Sequence, residues 1–291
     1  MIGHLVVIGT GLIGGSVARA LKRAGYVERI TGVGRNADHL ERALKLGVVD
    51  AISLNAGEAV RDADMVVIAT HMNGYRDIFS AISGHLPAGA MITDVGSTKM
   101  NVVREAELHL KELDCFVPAH PLAGTEQSGV DASFAELFQG HVCVLTPTDH
   151  SSVISLAGVR AMWASCGCDI EVMSALEHDD FLAAVSHLPH LVAYTLVNAV
   201  SKVGDGCHDP FRFAAGGFRD FTRIASSSPV MWRDICLSNR QAILHKIDLL
   251  EAEFDLIRQA LLTEDGERIL AEFDHAKQAR DGWLAGRGDN G

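Results

Sequence analysis

The chain has 291 residues, 48% of them hydrophobic and 21% charged, with a formal net charge of −12. It can bury a large core, and its length favours two domains. An acidic chain has no electrostatic drive toward nucleic acid or an anionic membrane, which excludes both as partners on charge grounds and leaves local Arg or Lys to attract any anionic substrate.

Cys115, Cys143, Cys166, Cys168, Cys207 and Cys236 are scattered without a CxxC pair. No metal or redox framework is indicated, the thiols read as reduced, and the location reads as cytoplasmic. Met1-Ile-Gly-His4 enters an apolar run with no basic stretch or cleavage site before it, so no signal peptide is expected.

The run His4 to Ile8 predicts a buried strand. Gly9-Thr-Gly11-Leu12-Ile13-Gly14-Gly15 follows, then the helical run Ser16 to Ala24. This is G-x-G-x-x-G between a strand and a helix. Gly9 permits the tight turn, Gly11 lets backbone approach a pyrophosphate, and Gly14 lets helix and strand pack closely. The N–H groups of the helix start at Leu12 and Ile13 are then offered to the phosphates. The second strand, Ile30 to Gly34, ends in Gly34-Arg35-Asn36, with no carboxylate for a ribose 2′-hydroxyl. Arg35 can pair with a 2′-phosphate, which favours NADP over NAD; the alternatives are a solvated Arg35 or one stacked on adenine with NAD bound.

Strand and helix go on alternating. Helices are predicted over Asp38 to Leu46, Asn73 to Ile82, Lys99 to Leu113 and Ser151 to Ser165. Strands are predicted over Asp64 to Thr70, Ala90 to Val95, Cys115 to Pro118, His141 to Leu145 and Asp169 to Val172. The expected fold class is α/β: a doubly wound, mostly parallel Rossmann-type sheet over residues 1–173, followed by an all-helical domain over 174–291. Thr70 and Asp94 end strands at the glycine-loop edge and are cofactor-binding candidates near the nicotinamide. Ser97, in Asp94-Val-Gly-Ser-Thr-Lys99, and His120, in His120-Pro-Leu-Ala-Gly-Thr125-Glu126, leave adjacent strand ends and are expected to face one another. A His beside a hydroxyl can accept a proton and be held in one tautomer; the plainer reading is a Ser97 cap on the next helix and a loop histidine.

Helical stretches are predicted over Ala175–Ser201, Phe218–Ala225 and Met231–Leu262. Phe181 to Val200 has no Asp, Glu, Lys or Arg, yet it holds His187, Pro189, His190 and Asn198, which argues against a lone membrane span and for a helix buried inside a large or dimeric helical core. Ile243, Ile247, Leu250, Phe254, Ile257 and Leu261 form a heptad-like stripe that wants another helix, from this chain or a second subunit. His178, His187 and His190 lack metal-site spacing; His178 and His190 are about 120° apart on an ideal helix, so convergence needs a bend, which Pro189 can supply. Arg223, amid apolar neighbours, needs a partner: a substrate carboxylate, or an internal ion pair with Asp220 or Glu126.

These motifs together resemble the prephenate/arogenate (cyclohexadienyl) dehydrogenases of tyrosine biosynthesis. The match runs through Gly9–Gly15, Asp94–Lys99, His120-Pro-Leu-Ala-Gly-Thr-Glu-Gln-Ser-Gly129, Ser186-His-Leu-Pro-His190, Gly217-Phe-Arg-Asp-Phe-Thr-Arg-Ile-Ala225 and Met231-Trp-Arg-Asp234. The resemblance implies oxidative decarboxylation of a cyclohexadienol with hydride transfer to NAD(P)+. It implies His120 as the catalytic base, Ser97 as the residue contacting both His and substrate hydroxyl, and Arg223 as the grip on a carboxylate. It places Thr125, Glu126, His178, His187 and His190 around the pocket, some of them from a neighbouring subunit, and it implies a homodimer through the helical domain. Two departures stand out: Ala69-Thr70-His71 where many members have Ala-Thr-Pro, and Gly34 where many have Asp. The rival expectations are a related dehydrogenase acting on a 3-hydroxy acid or imine, for which Lys202 and Lys246 are poorly placed, and a non-catalytic NADPH-binding sensor.

Overall fold

The computed structural model describes residues 1–125, 127–203 and 208–286. Glu126, one of the expected pocket residues, lies outside the described residues. The described chain forms two compact units, Met1–Ile243 and Leu244–Gly291.

The first unit begins with a parallel sheet of six strands: β1 (Ile2–Ile8), β2 (Val27–Val33), β3 (Ala51–Ser53), β4 (Met65–Ile68), β5 (Met91–Asp94) and β6 (Phe116–Val117), in the order β3-β2-β1-β4-β5-β6. This is the doubly wound Rossmann arrangement, with its crossover between β1 and β4. Alternation along the strands fills two cores. Leu5, Val7, Met65 and Val67 pack on one face, and Val6, Ile8, Val66 and Ile68 on the other.

Three strands follow in a separate sheet: β7 (Ala119–Pro121), β8 (Val142–Leu145) and β9 (Asp169–Val172). β8 and β9 are parallel, and β7 runs antiparallel to β8. The expected continuation of one sheet through 141–145 and 169–172 is therefore corrected: only Phe116–Val117 joins the large sheet, and the chain changes sheets at Pro118. Pro118 has no N–H to donate to a ladder, which makes it a natural place for that change.

From Ala175 the first unit is helical. A helix over Ala175–Leu182 passes through a π-helical turn, Ala183–His187, into a helix over Leu188–Val200. The bend expected from Pro189 is supplied by that π-turn; Pro189 itself sits in the first turn of the next helix, where a missing N–H costs nothing. By length and composition Ala175–Val200 is apolar enough to cross a membrane, and 22% of its most apolar window is buried. Its expected burial in a helical core is thus not achieved within the single chain. The expected helix Met231–Leu262 is broken at Asn239, which separates helices Pro229–Ser238 and Arg240–Leu262. The expected division at 173 and 174 falls inside the first unit, where the Asp179 carboxylate accepts hydrogen bonds from the Lys99 and Met100 amides. In the second unit, Arg240–Leu262 continues and Gly266–Gly286 forms a further helix, started by Asp265, whose carboxylate accepts from Arg268 N.

Candidate active site

Ile8, Ile68 and Asp94 are in register at the carboxyl ends of β1, β4 and β5, so Gly9, Thr70 and the Asp94–Lys99 loop leave the sheet from one edge. Gly9 has φ of 99°, and a Cβ there would lie 2.3 Å from the Ala69 carbonyl oxygen. A Cβ on Gly14 would lie 2.0 Å from the Gly9 carbonyl oxygen, whereas one on Gly11 would meet nothing within 4 Å. Two glycines are thus demanded by the chain's own packing, and the third leaves room on the side where a dinucleotide pyrophosphate approaches. The helix that follows, Leu12–Arg23, has no side-chain cap and no acid in its first turn, so its free N–H groups suit phosphate. Arg35 is exposed and makes no ion pair among the described residues. Asn36 caps the helix Ala37–Lys45 by accepting from His39 N at 3.1 Å. Thr70 lies half-buried in the loop after β4. That loop closes in a 3₁₀ turn over Met72–Gly74, in place of the proline common in the family, and Asn73 donates to the buried Asp234 carboxylate at 2.8 Å.

Asp94 is turned into the protein, which leaves its side chain no free oxygen for the expected cofactor contact. Its side chain is fully buried, and its two oxygens are used within the chain. Oδ2 accepts from the Tyr75 hydroxyl at 2.8 Å, Gly96 N at 2.8 Å and Lys99 Nζ at 2.6 Å, while Oδ1 accepts from Ala119 N at 2.9 Å.

The catalytic candidate His120 lies in β7, with Nδ1 2.9 Å from Nε2 of His178; Nδ1 of His178 lies 2.8 Å from Oδ1 of Asp179. The Asp179 carboxylate also accepts from Lys99 N at 2.7 Å and Met100 N at 2.9 Å, capping the helix Met100–His109. Asp179 is therefore the acceptor, and His178 donates through Nδ1–H. The Nε2 of a neutral His178 must then accept from His120 Nδ1–H, which leaves Nε2 of His120 as a bare lone pair. Burial holds the His120 pKa well below the ordinary histidine value, and His178, Lys99 and His187 add to the effect. Burial lowers that of His178 too, against the pull of Asp179. A neutral imidazole with one fixed tautomer is a ready general base, and the Asp179 carboxylate at the far end steadies the charge once the proton arrives.

Several expected pocket residues take other places. His178 is fully buried with both ring nitrogens engaged, so it orients His120 and makes no substrate contact. His187 is buried; Asn239 Nδ2 approaches its Nδ1 at 3.2 Å, and burial lowers its pKa to about 4 despite the nearby Ser97 main chain. It supports the Ser97 loop from below, which corrects its assignment to substrate. The Ser97 side chain is half-buried, and its hydroxyl neither caps the helix nor bonds to His120; Asp179 does the first and His178 the second. His190 donates through Nδ1–H to the Ser186 carbonyl at 2.9 Å and stacks on Trp232, with ring centroids 3.6 Å apart. Burial lowers its pKa, and the positive charge of Arg223 works in the same direction. Arg223 is exposed and free of ion pairs among the described residues, since Asp220 is taken by Arg219. Arg223 and His190 therefore form one cationic and polar end. Thr125 lies in an exposed turn, its hydroxyl accepting from Gln127 N at 3.2 Å.

Sequence reasoning passed over Asp179, Asn239, Lys99 and Tyr75 as working parts. A signal existed for Asp179, an acid flanking a histidine near a helix start. Nothing local pointed to Asn239.

A glycine loop at the carboxyl edge of a Rossmann sheet, beside an imidazole held neutral with its lone pair free, defines an NAD(P)-dependent dehydrogenase. Family models sharpen this: the nucleotide-binding domain of prephenate dehydrogenase matches residues 17–172 and its dimerization domain matches residues 174–275. The chain belongs to the prephenate dehydrogenase family. It is 37% identical to a cyclohexadienyl dehydrogenase of Zymomonas mobilis over 95% of this chain and 94% of that protein. It is 38% identical to a prephenate dehydrogenase of Bacillus subtilis over 96% of this chain and 75% of that protein. A solved prephenate dehydrogenase from A. aeolicus, in complex with hydroxyphenyl propionate and NAD+, matches with a TM-score of 0.91 and 33% identity, over 97% of this chain and 98% of that one.

Proposed function

We propose that this enzyme oxidatively decarboxylates prephenate, arogenate or both, giving 4-hydroxyphenylpyruvate or tyrosine in tyrosine biosynthesis, with NADP favoured over NAD. The observation that carries the reading is the chain His120–His178–Asp179, which leaves the His120 Nε2 lone pair free, with the neighbouring Ala119 tied to Asp94 at the sheet edge that carries the glycine loop. Relatives named as prephenate and cyclohexadienyl dehydrogenases support the substrate class.

Gly11 and the start of the helix Leu12–Arg23 would hold the pyrophosphate, on the turn that Gly9 and Gly14 permit; Arg35 would meet a 2′-phosphate, and Thr70 would line the nicotinamide side. The nicotinamide, when bound, supplies the acceptor for the ring hydride. His120 Nε2 takes the proton of the ring hydroxyl as the C–O bond gains double-bond character. The ring carboxylate then leaves as CO2; its electron pair completes the aromatic ring and pushes the carbonyl electrons back onto oxygen, which regains the proton from His120 as the phenol hydroxyl. Until then the imidazolium keeps its Nδ1–H bond to His178, and Asp179 balances the charge. Ser97 Oγ donates to the substrate hydroxyl oxygen and keeps it within reach of His120. Arg223, with His190 nearby, grips the side-chain carboxylate in a two-pronged pair; the resemblance adds Thr125 and Glu126 to the pocket. The working division falls at 173 and 174, the helical part pairs two copies into a homodimer, and the free thiols Cys115, Cys143, Cys166, Cys168 and Cys236 suit the cytoplasm.

The test is to mix purified enzyme with prephenate, and separately with arogenate, each with NADP+ and with NAD+, and to follow reduced nicotinamide by absorbance. Turnover of at least one substrate, faster with NADP+, is expected. No turnover of either at saturating coenzyme overturns the reading, and faster turnover with NAD+ removes the role given to Arg35.

A further inference from the structure

β7 carries His120 but is a strand of three residues, paired on one side with β8. Antiparallel pairing alternates residues whose N–H and C=O face the partner with residues whose groups face away. Thr146 N donates to the Pro118 carbonyl and Leu122 N to the Val142 carbonyl, so Pro118, His120 and Leu122 face β8, and Ala119 faces the opposite edge. No strand pairs with that edge among the described residues. Pro121, the next residue facing outward, has no N–H to satisfy. The Ala119 amide and carbonyl are buried on that edge, and such groups require partners.

Two charged side chains meet them. Asp94 Oδ1 accepts from Ala119 N at 2.9 Å, and Lys99 Nζ donates to the Ala119 carbonyl at 2.6 Å while also donating to Asp94 Oδ2 at 2.6 Å. Asp94 and Lys99 are both fully buried, and Tyr75 holds Asp94 from the other side. Each side chain reaches the main chain of Ala119, the residue immediately before His120. We propose that Lys99 is a positioning residue for His120: with Asp94 it takes the place of a neighbouring strand and clamps the main chain at Ala119, so that the imidazole of the next residue stays aimed at the substrate hydroxyl.

The clamp also carries charge. The groups facing His120 are Lys99 and Asp94 from below, His178 and His187 from the helical side, and Asp179 behind His178. The Lys99 ammonium opposes a proton on His120, in line with the direction of its shift. The inference rests on His120 as the base, so one readout is independent of turnover: NMR titration of the His120 ring in the folded protein.

For Lys99→Met, kcat is expected to fall by about a hundredfold with little change in KM, as for a misplaced base. With the positive charge gone, the His120 midpoint and the acid limb of kcat/KM both move to higher pH. Lys99→Arg, which keeps the charge and a donor, restores the limb. Should Lys99→Met not fold because Asp94 is left unpaired, the double variant Asp94→Asn/Lys99→Met removes both charges yet still lacks the donor to Ala119; it is expected to keep a limb near wild type with a similarly reduced kcat. A merely structural Lys99 would lower thermal stability and leave kcat, the limb and the His120 titration of the folded protein unchanged. That result in Lys99→Met, or a kcat within about twofold of wild type in the double variant, overturns the proposal. A wild-type enzyme inactive on both substrates but with the His120 midpoint still displaced by Lys99→Met would sink the function and keep the clamp.

Discussion

The sheet half and the helical part of the first unit dispose of their apolar side chains in opposite ways. In the sheet half, apolar residues fill two cores, one on each face of the large sheet. From residue 174 the polar side chains go inward instead: His178, Asp179, His187 and Asn239 are buried, while Leu176 is 67% exposed and Val185 73% exposed, with Phe181 and Phe221 also outside. The helices thus spend their hydrogen bonds on the catalytic edge and leave an apolar face for another surface, in keeping with the match of residues 174–275 to a dimerization domain. The lesson is that the sheet half completes its own core, whereas the helical part needs a second copy to cover what it leaves outside.

The most severe way to break this contrast is at the shared edge. His120→Asn is expected to lower kcat by about two to four orders of magnitude with KM nearly unchanged, as removal of a general base does; steady-state kinetics with substantial surviving turnover would give the base to another residue. Asp179→Ala removes the acceptor of His178 and the cap of Met100–His109 together. It is expected to lower kcat tens of fold and stability by about 1–3 kcal/mol. If denaturant melts show the stability loss but kinetics are untouched, the helical part merely caps the sheet half.

Val185→Glu, on the outer face, is expected to shift sedimentation from dimer to monomer while coenzyme binding, read by fluorescence titration, stays within about threefold of wild type. A dimer that survives at micromolar concentration would mean the apolar face is covered otherwise.

Acid provides a gentler probe. His187 is held neutral to about 4 by burial, below the ordinary histidine value of 6.5. A histidine with a lowered folded-state value stabilises fully above the unfolded value, and that stability is lost as pH falls from the unfolded toward the folded value. Unfolding free energy is thus expected to drop by ~3 kcal/mol across that window from this group alone, and a His187→Asn variant should show a shallower slope in melts from neutral pH downward. The smallest effect is expected at the exposed end: Arg35→Ser should raise KM for NADP+ about tenfold and leave NAD+ nearly untouched, and equal changes for both coenzymes would return Arg35 to adenine stacking.

Much of the sheet half was legible because its signals are local. Glycine spacing, apolar runs and turn residues act within a few positions, and β1, β4 and β5 fall where the runs predict. β3 and β7 escaped notice, as strands of three residues whose polar or proline content offers no periodicity. His120 was legible as a histidine after a strand; its orientation was not, and the expected Ser97–His120 bond gave way to His178. The π-turn over Ala183–His187 has no signature in the local sequence.

The amino-acid sequence by itself determined the nucleotide-binding architecture, the place of His120 at a sheet edge and the family to which those motifs point. All of these depend on interactions between residues close along the chain. Tertiary structure alone decided which nitrogen of His120 is bare, that Asp94 and Lys99 bond the main chain at Ala119, and that His187 and His178 are buried. The bonds responsible join positions 58 apart for His120 and His178 and 80 apart for Lys99 and Asp179. A donor and acceptor that distant are brought together only by the packing of whole elements, and no local spacing encodes which pair will meet.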